Sequence, residues 1–239
     1  MIRSELLRAR SGANTLAVLL LGAFIPVIVL TSDDTLGRLT SMDATTATSL
    51  LVAPLAWSFV VAAFAGAFGV TREFYYGSMS RTIAGVGFRR AFAGKTAAAI
   101  GVAVALTAGI AAVWCGGAAI VLNVNGLVFT ASVEAVGTIL GALPGAVLGA
   151  ISGSAIGWIV GNYYAAAAIV LAGPIAFEMA FLASAPEVAR FSPGLTLAAL
   201  ASPSDHPGLL EPWAGLAVGL GWTLVLATAA WVIGRRRFR

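Results

Sequence analysis

The stretch TREFYYGSMSRTIAGVGFRRAFAGK, Thr71–Lys95, sets the reading of the whole chain. Arg72, Arg81, Arg89, Arg90 and Lys95 stand in it against one acid, Glu73, and long apolar runs lie on both sides. Apolar residues are threaded through it at helical spacing. Tyr75, Met79 and Ile83 lie four apart on one face with Arg81 opposite, and Phe88 and Phe92 repeat the spacing beyond Gly85-Val86-Gly87. A basic amphipathic segment between two hydrophobic spans lies at a membrane surface or docks into a partner; a solvated loop that only fixes topology has the same composition.

Working outward, 59% of the 239 residues are hydrophobic and 10% are charged. Mean hydropathy is +0.95. A soluble domain carries about 25% charge, and apolar runs of about 18 residues or more mark bilayer spans, so an all-α integral membrane protein is expected. Six spans are read at about 13–30, 49–70, 96–120, 133–160, 165–184 and 213–233, forming one transmembrane domain over 1–239. The spans leave no room for a soluble catalytic domain. The basic segment 1–12 reads as a short interfacial helix on membrane lipid. Pro26 and Val27 continue the first apolar run without a small-residue cleavage site, so it reads as a retained span.

Orientation follows from the basic residues. Three fall in the N-terminal segment, five in Thr71–Lys95 and four at the C-terminus, twelve of the fourteen Lys and Arg; only Arg38 and Arg190 lie elsewhere. Placing both termini in the cytoplasm puts all twelve inside, which makes Thr71–Lys95 the one substantial cytoplasmic loop. The +4 net charge therefore reports topology, and nucleic acid is not an expected partner.

Span 4 carries glycine at every fourth position from Gly137 to Gly161, including Gly141, Gly145, Gly149, Gly153 and Gly157. Small residues at that interval let another helix approach backbone to backbone. A period of four drifts by about 40° per step on a 3.6-residue helix, so the stripe can serve more than one neighbour. Composition alone also produces such stripes. Pro144 is expected to kink or divide the span. A polar hinge, Gly161-Asn162-Tyr163-Tyr164, leads into span 5, and Gly194–Ala201, within a proline-rich connection, is apolar enough for a short helix on or in the membrane.

Other chemistry is weakly signalled. Gly94-Lys95-Thr96 ends like a phosphate-binding loop, but position 89 is arginine and no strand precedes it. Lone His206 and lone Cys115 give no metal site and no intrachain disulfide. Glu178 is the one acid deep in a span, where ionisable groups are costly and suspect; a partnered side chain near the interface is the bland reading.

The layout resembles the ABC-2 type permeases, the membrane subunits of ATP-binding-cassette exporters. The residues that carry the likeness are Glu73, Gly77-Ser78, Arg81, Arg89-Arg90 and Gly94-Lys95 in the loop after span 2. The resemblance implies a coupling helix in this loop, touching a separate ATPase through Arg72, Glu73, Gly77, Arg81, Arg89, Arg90 and Lys95. It further implies that ATP and magnesium are held by that ATPase, leaving no cofactor or catalytic residue here. A second permease copy or homologue would complete the pathway in a bacterial plasma membrane. Spans 2 and 5 would line it, with Trp57, Phe64, Phe177, Glu178 and Phe181 as candidates, for an amphipathic drug, antibiotic, lipid or peptide. The rival expectations are a proton-coupled transporter carrying protons on Glu178, and a membrane sensor or assembly factor without transport.

Overall fold

The computed structural model describes residues 39–202 and 208–238, with Val27 and Gly37. The expected interfacial helix, span 1, most of the acidic connection and His206 lie outside the described residues. Those described form helices joined by turns, with no strand. Five helical stretches are long and apolar enough to cross a bilayer: Ala44–Tyr75, Phe88–Val124, Val133–Val160, Tyr163–Ser184 and Pro212–Arg237. The protein is a multi-pass membrane protein.

The first of these stretches is composite. After a 3₁₀ turn at Leu39–Ser41, α1 (Ala44–Val52) is capped by Asp43, which accepts from the N–H groups of Thr45 and Thr46 at 3.1 Å and from the Thr46 hydroxyl at 2.7 Å. The Thr46 hydroxyl is the main cause of an Asp43 pKa below its ordinary value. A depressed carboxylate stabilises the fold above its unfolded-state value, and that contribution fades as pH falls through the folded-state value. Pro54 then forces a 3₁₀ segment, Ala53–Trp57, before α2 (Ser58–Tyr75).

α2 ends in a two-bond glycine cap. The N–H of Ser78 bonds to the Glu73 carbonyl at 2.9 Å and that of Gly77 to the Phe74 carbonyl at 3.2 Å. Gly77 sits at φ +64°, a conformation that side chains disfavour. The short α3 (Met79–Val86) follows, and Gly87 at φ +80° turns the chain into α4 (Phe88–Val124). The cap alters one expectation. Tyr75 lies before the break and is 60% exposed, so only Met79 and Ile83 share the inward face of α3. α4 runs for 37 residues, about 55 Å, well beyond a ~30 Å apolar core. The basic residues Arg89 and Arg90 therefore belong to the first turns of a spanning helix.

α5 (Val133–Val160) continues through Pro144 without dividing and ends at Gly161, which is left-handed at φ +65°. Asn162 caps α6 (Tyr163–Ala172), leaving a hinge of two residues. The same span passes through a π-helical turn, Gly173–Glu178, into α7 (Met179–Ser184). Pro174 lies in that turn, where its missing N–H favours widened helical geometry. α8 (Pro186–Ala189) and α9 (Pro193–Ala199) precede α10 (Pro212–Arg237). Residues Gly194–Ala199 of α9 are all buried, so this short helix dips into the bundle.

The α2–α5 pair forms the centre. A Cβ on Gly149 would stand 2.6 Å from the Phe59 carbonyl oxygen, one on Gly157 would stand 3.0 Å from that of Ala67, and one on Gly153 would collide with the Ala63 backbone. Gly66 answers from α2, with the Ser154 nitrogen 3.0 Å from its would-be Cβ. Further along, the stripe meets a second neighbour. Gly141 lies against the Leu200 carbonyl, and a Cβ on Gly145 would stand 3.3 Å from that of Leu197. The stripe winds as a period of four requires, from α2 to the segment around α9. Gly137 has nothing within 4 Å.

Candidate functional site

Among the described residues, most charged side chains gather at the two ends of the bundle. Arg72, Arg81, Arg89, Arg90, Lys95 and Arg235–Arg237 occupy the end where α2 finishes and α4 begins. Glu134, Glu187, Arg190 and Glu211 occupy the other end. The basic end is built on an aromatic core. Trp158 is fully buried, with Phe74, Phe88 and Phe92 at 5.5–6.0 Å between ring centroids. Met79 and Ile83 of α3 pack into the same cluster, which fixes α3 across the end of the bundle. Arg237 ties in α10: its guanidinium donates to the Trp158 and Ile159 carbonyls at 3.3 and 3.1 Å, at the negative end of α5.

Sequence reasoning grouped seven residues as contacts for a partner, but the structure splits them. Glu73 and Lys95 are buried, with 5% and 3% exposed. Lys95 Nζ donates to Glu73 Oε1 at 2.7 Å and to the Gly69 carbonyl at 3.3 Å. The Glu73 carboxylate, one of the seven, meets this chain's own lysine and joins the base of α2 to α4. Gly77 is the helix cap described above. Arg72 is half-buried, its guanidinium 5.7 Å from the Phe68 ring. Arg81, Arg89 and Arg90 are exposed and form the outward basic face around α3.

The candidate path residues are also divided. Trp57 and Phe64 are partly buried against the central cluster. Phe177 and Phe181 are 73% and 41% exposed on the outer face of the Tyr163–Ser184 span. Only 11% of the most apolar window of that span is buried, against 72% for Ala44–Tyr75. Its apolar face is open to lipid or to another chain.

Glu178 points inward to α9. Its carboxylate accepts from the Ser192 hydroxyl at 2.8 Å and from the N–H groups of Gly194 and Leu195 at 3.0 and 2.8 Å. A Cβ on Gly194 would lie 2.6 Å from Glu178 Oε2, so glycine is what lets the carboxylate reach the backbone. The group latches α9 to the π-helical turn. Its local sequence gave no sign of this, because the donors lie 14 to 17 residues away.

Among the described residues no group of His, Cys, Asp and Glu could hold a metal. Compared with protein-family models, curated proteins and solved structures, the chain matches none.

Proposed function

We propose that this chain is the membrane subunit of an ATP-driven exporter of the ABC-2 type, moving an amphipathic substrate with energy from a separate ATPase. The observation that carries the reading is the build of α3. It is a short helix lying between two spans, with Met79 and Ile83 locked into the aromatic core and Arg81 facing outward beside Arg89 and Arg90. The buried Glu73–Lys95 pair braces its root. A rigid helix with a basic outer face suits the transfer of motion from an acidic groove on a cytoplasmic ATPase to two spans at once. In this reading Arg81, Arg89 and Arg90 make the contact, and Glu73, Gly77 and Lys95 hold the helix that makes it.

The exposed apolar face of Tyr163–Ser184 fits a second permease copy. With Cys115 replaced by alanine, Phe177→Cys is expected to give a disulfide-linked dimer in native membranes, read on a non-reducing gel. A monomer under oxidising conditions would remove span 5 from the subunit interface.

Proton coupling through Glu178 is the competing mechanism, and the three donors on its carboxylate favour a fixed structural role. In inverted membrane vesicles, ATP-dependent uptake of an amphipathic dye should persist with the pH gradient collapsed and should survive Glu178→Gln. That change keeps the size and one acceptor, at a structural cost of about 1–2 kcal/mol. Uptake that needs the gradient and dies with the substitution would establish proton coupling instead.

A further inference from the structure

The outer half of the Tyr163–Ser184 span lies between two anchored elements and is tied to the bundle through one carboxylate. α6 is anchored, since Ala166 and Val170 are buried against Ala63 and Ala67 of α2. α9 is anchored as well. Its residues Gly194–Ala199 are buried, and a Cβ on Gly215 of α10 would stand 2.9 Å from the Thr196 carbonyl oxygen. Between the two, no residue of Gly173–Ser184 is buried. Pro174, Glu178 and Leu182, four apart on one stripe, are its half-buried residues beyond Gly173. Among the described residues, Glu178 makes the only side-chain hydrogen bonds from this segment to another element. We infer that Gly173–Ser184 is a strap that closes onto α9 through the Glu178 carboxylate and opens by pivoting at the π-helical turn. The inference stands apart from the transport reading.

Three observations carry it. The first is the pivot. Pro174 supplies no N–H and the π-helical turn interrupts the α-helical ladder, the places where helices bend sharply. A Cβ on Gly173 would meet nothing within 4 Å, so no neighbour there blocks a change of angle.

The second is the build of the latch. Ser192 holds the N-cap position of α9 in extended geometry, yet its side chain accepts no cap hydrogen bond. Its hydroxyl donates to Glu178 Oε2 instead. The N–H of Gly194 goes to Oε1 and that of Leu195 to Oε2. A carboxylate from another span thus takes the place that the serine's own oxygen ordinarily fills. When the strap opens, Ser192 can turn its oxygen onto the N–H groups that Glu178 leaves, so neither state strands a buried donor.

The third is balance. Hydrogen bonds to a charged acceptor are stronger than neutral ones, and no buried residue of the strap backs them. Closure therefore depends on one side chain.

The test measures distances between spin labels on pairs of introduced cysteines in detergent, with Cys115→Ala in the background. Dilution with unlabelled chain restricts the reading to distances within one chain. One pair joins the strap to α10, Ala183→Cys with Ala217→Cys. The other joins α6 to α10, Ala168→Cys with Ala217→Cys, and all three positions are exposed. In the parent, each pair should give one narrow distance. With Glu178→Ala, the strap pair should gain a second population shifted by about 5 Å, as a ~20° pivot produces ~15 Å along the helix. The α6 pair should not change. If Glu178→Ala folds poorly, Gly194→Ala keeps the carboxylate but places a methyl against Oε2, and should populate the same second distance. Glu178→Gln, with one acceptor left, should give a smaller second population. An unchanged strap distance in both Glu178→Ala and Gly194→Ala overturns the inference. So does an equal shift in the two pairs, which would mean that the whole span moves. A parent already spread over both distances overturns it as well.

Discussion

Gly153→Leu is expected to leave little folded protein in the membrane, while Gly137→Leu, on the same stripe of glycines, behaves as the parent chain. At Gly153 the α5 backbone lies directly on the Ala63 backbone of α2, so even one added carbon has no space. Backbone atoms cannot rotate aside as a side chain can. The two helices must separate, and the loss exceeds the 1–3 kcal/mol typical of overpacking. Gly137 faces open space. Melting both variants in detergent decides the matter. Equal behaviour of the two would mean that the α2–α5 contact is not where the bundle draws its strength.

The second large effect belongs to the buried ion pair. Lys95→Met should cost about 3–5 kcal/mol, because the buried Glu73 carboxylate loses the ammonium that donates to it at 2.7 Å. The double change Glu73→Leu/Lys95→Met should recover much of that loss, since apolar replacement of both partners leaves neither half of the pair buried without the other. Thermal unfolding of the two singles and the double gives the coupling between them. Additive losses would show that the pair does not act as a unit. A stable double variant also separates bracing from signalling, for it keeps α3 in place without either charge.

What could be read from sequence follows from what each signal encodes. Span 4, read at about 133–160, coincides with α5 at Val133–Val160, where Ser132 caps the start and left-handed Gly161 ends it. The glycine stripe was legible as a close-packing surface because its period is a property of one helix. Which glycines meet a neighbour was not legible, since that depends on where α2 and α9 lie. Span 3, read at about 96–120, lies inside a helix that runs on beyond it at the basic end. Hydropathy stops at the charges, but a helix that has left the apolar layer keeps its hydrogen bonds in water, and α4 starts at Phe88. Tyr75 was grouped with Met79 and Ile83 by spacing alone. Gly77 breaks the helix between them, and the glycine was the available signal.

The roles of Glu73 and Lys95 needed the fold. One lone acid in a basic loop suggested an external partner, whereas folding brings it to a lysine 22 residues on. Glu178 stands out in the sequence for its depth in a span, and its three donors come from a later turn.

The central claim is that the basic face around α3 docks a separate ATPase. Its most direct test is Mg-ATP hydrolysis in the complex isolated through this chain from its own membranes. The parent chain should bring ATPase activity with it through size exclusion. Arg81→Glu/Arg89→Glu/Arg90→Glu, at three exposed positions, should lose that activity while the membrane protein itself remains folded and abundant. Activity retained in full by the charge-reversed chain, or no activity with the parent chain, would contradict the account.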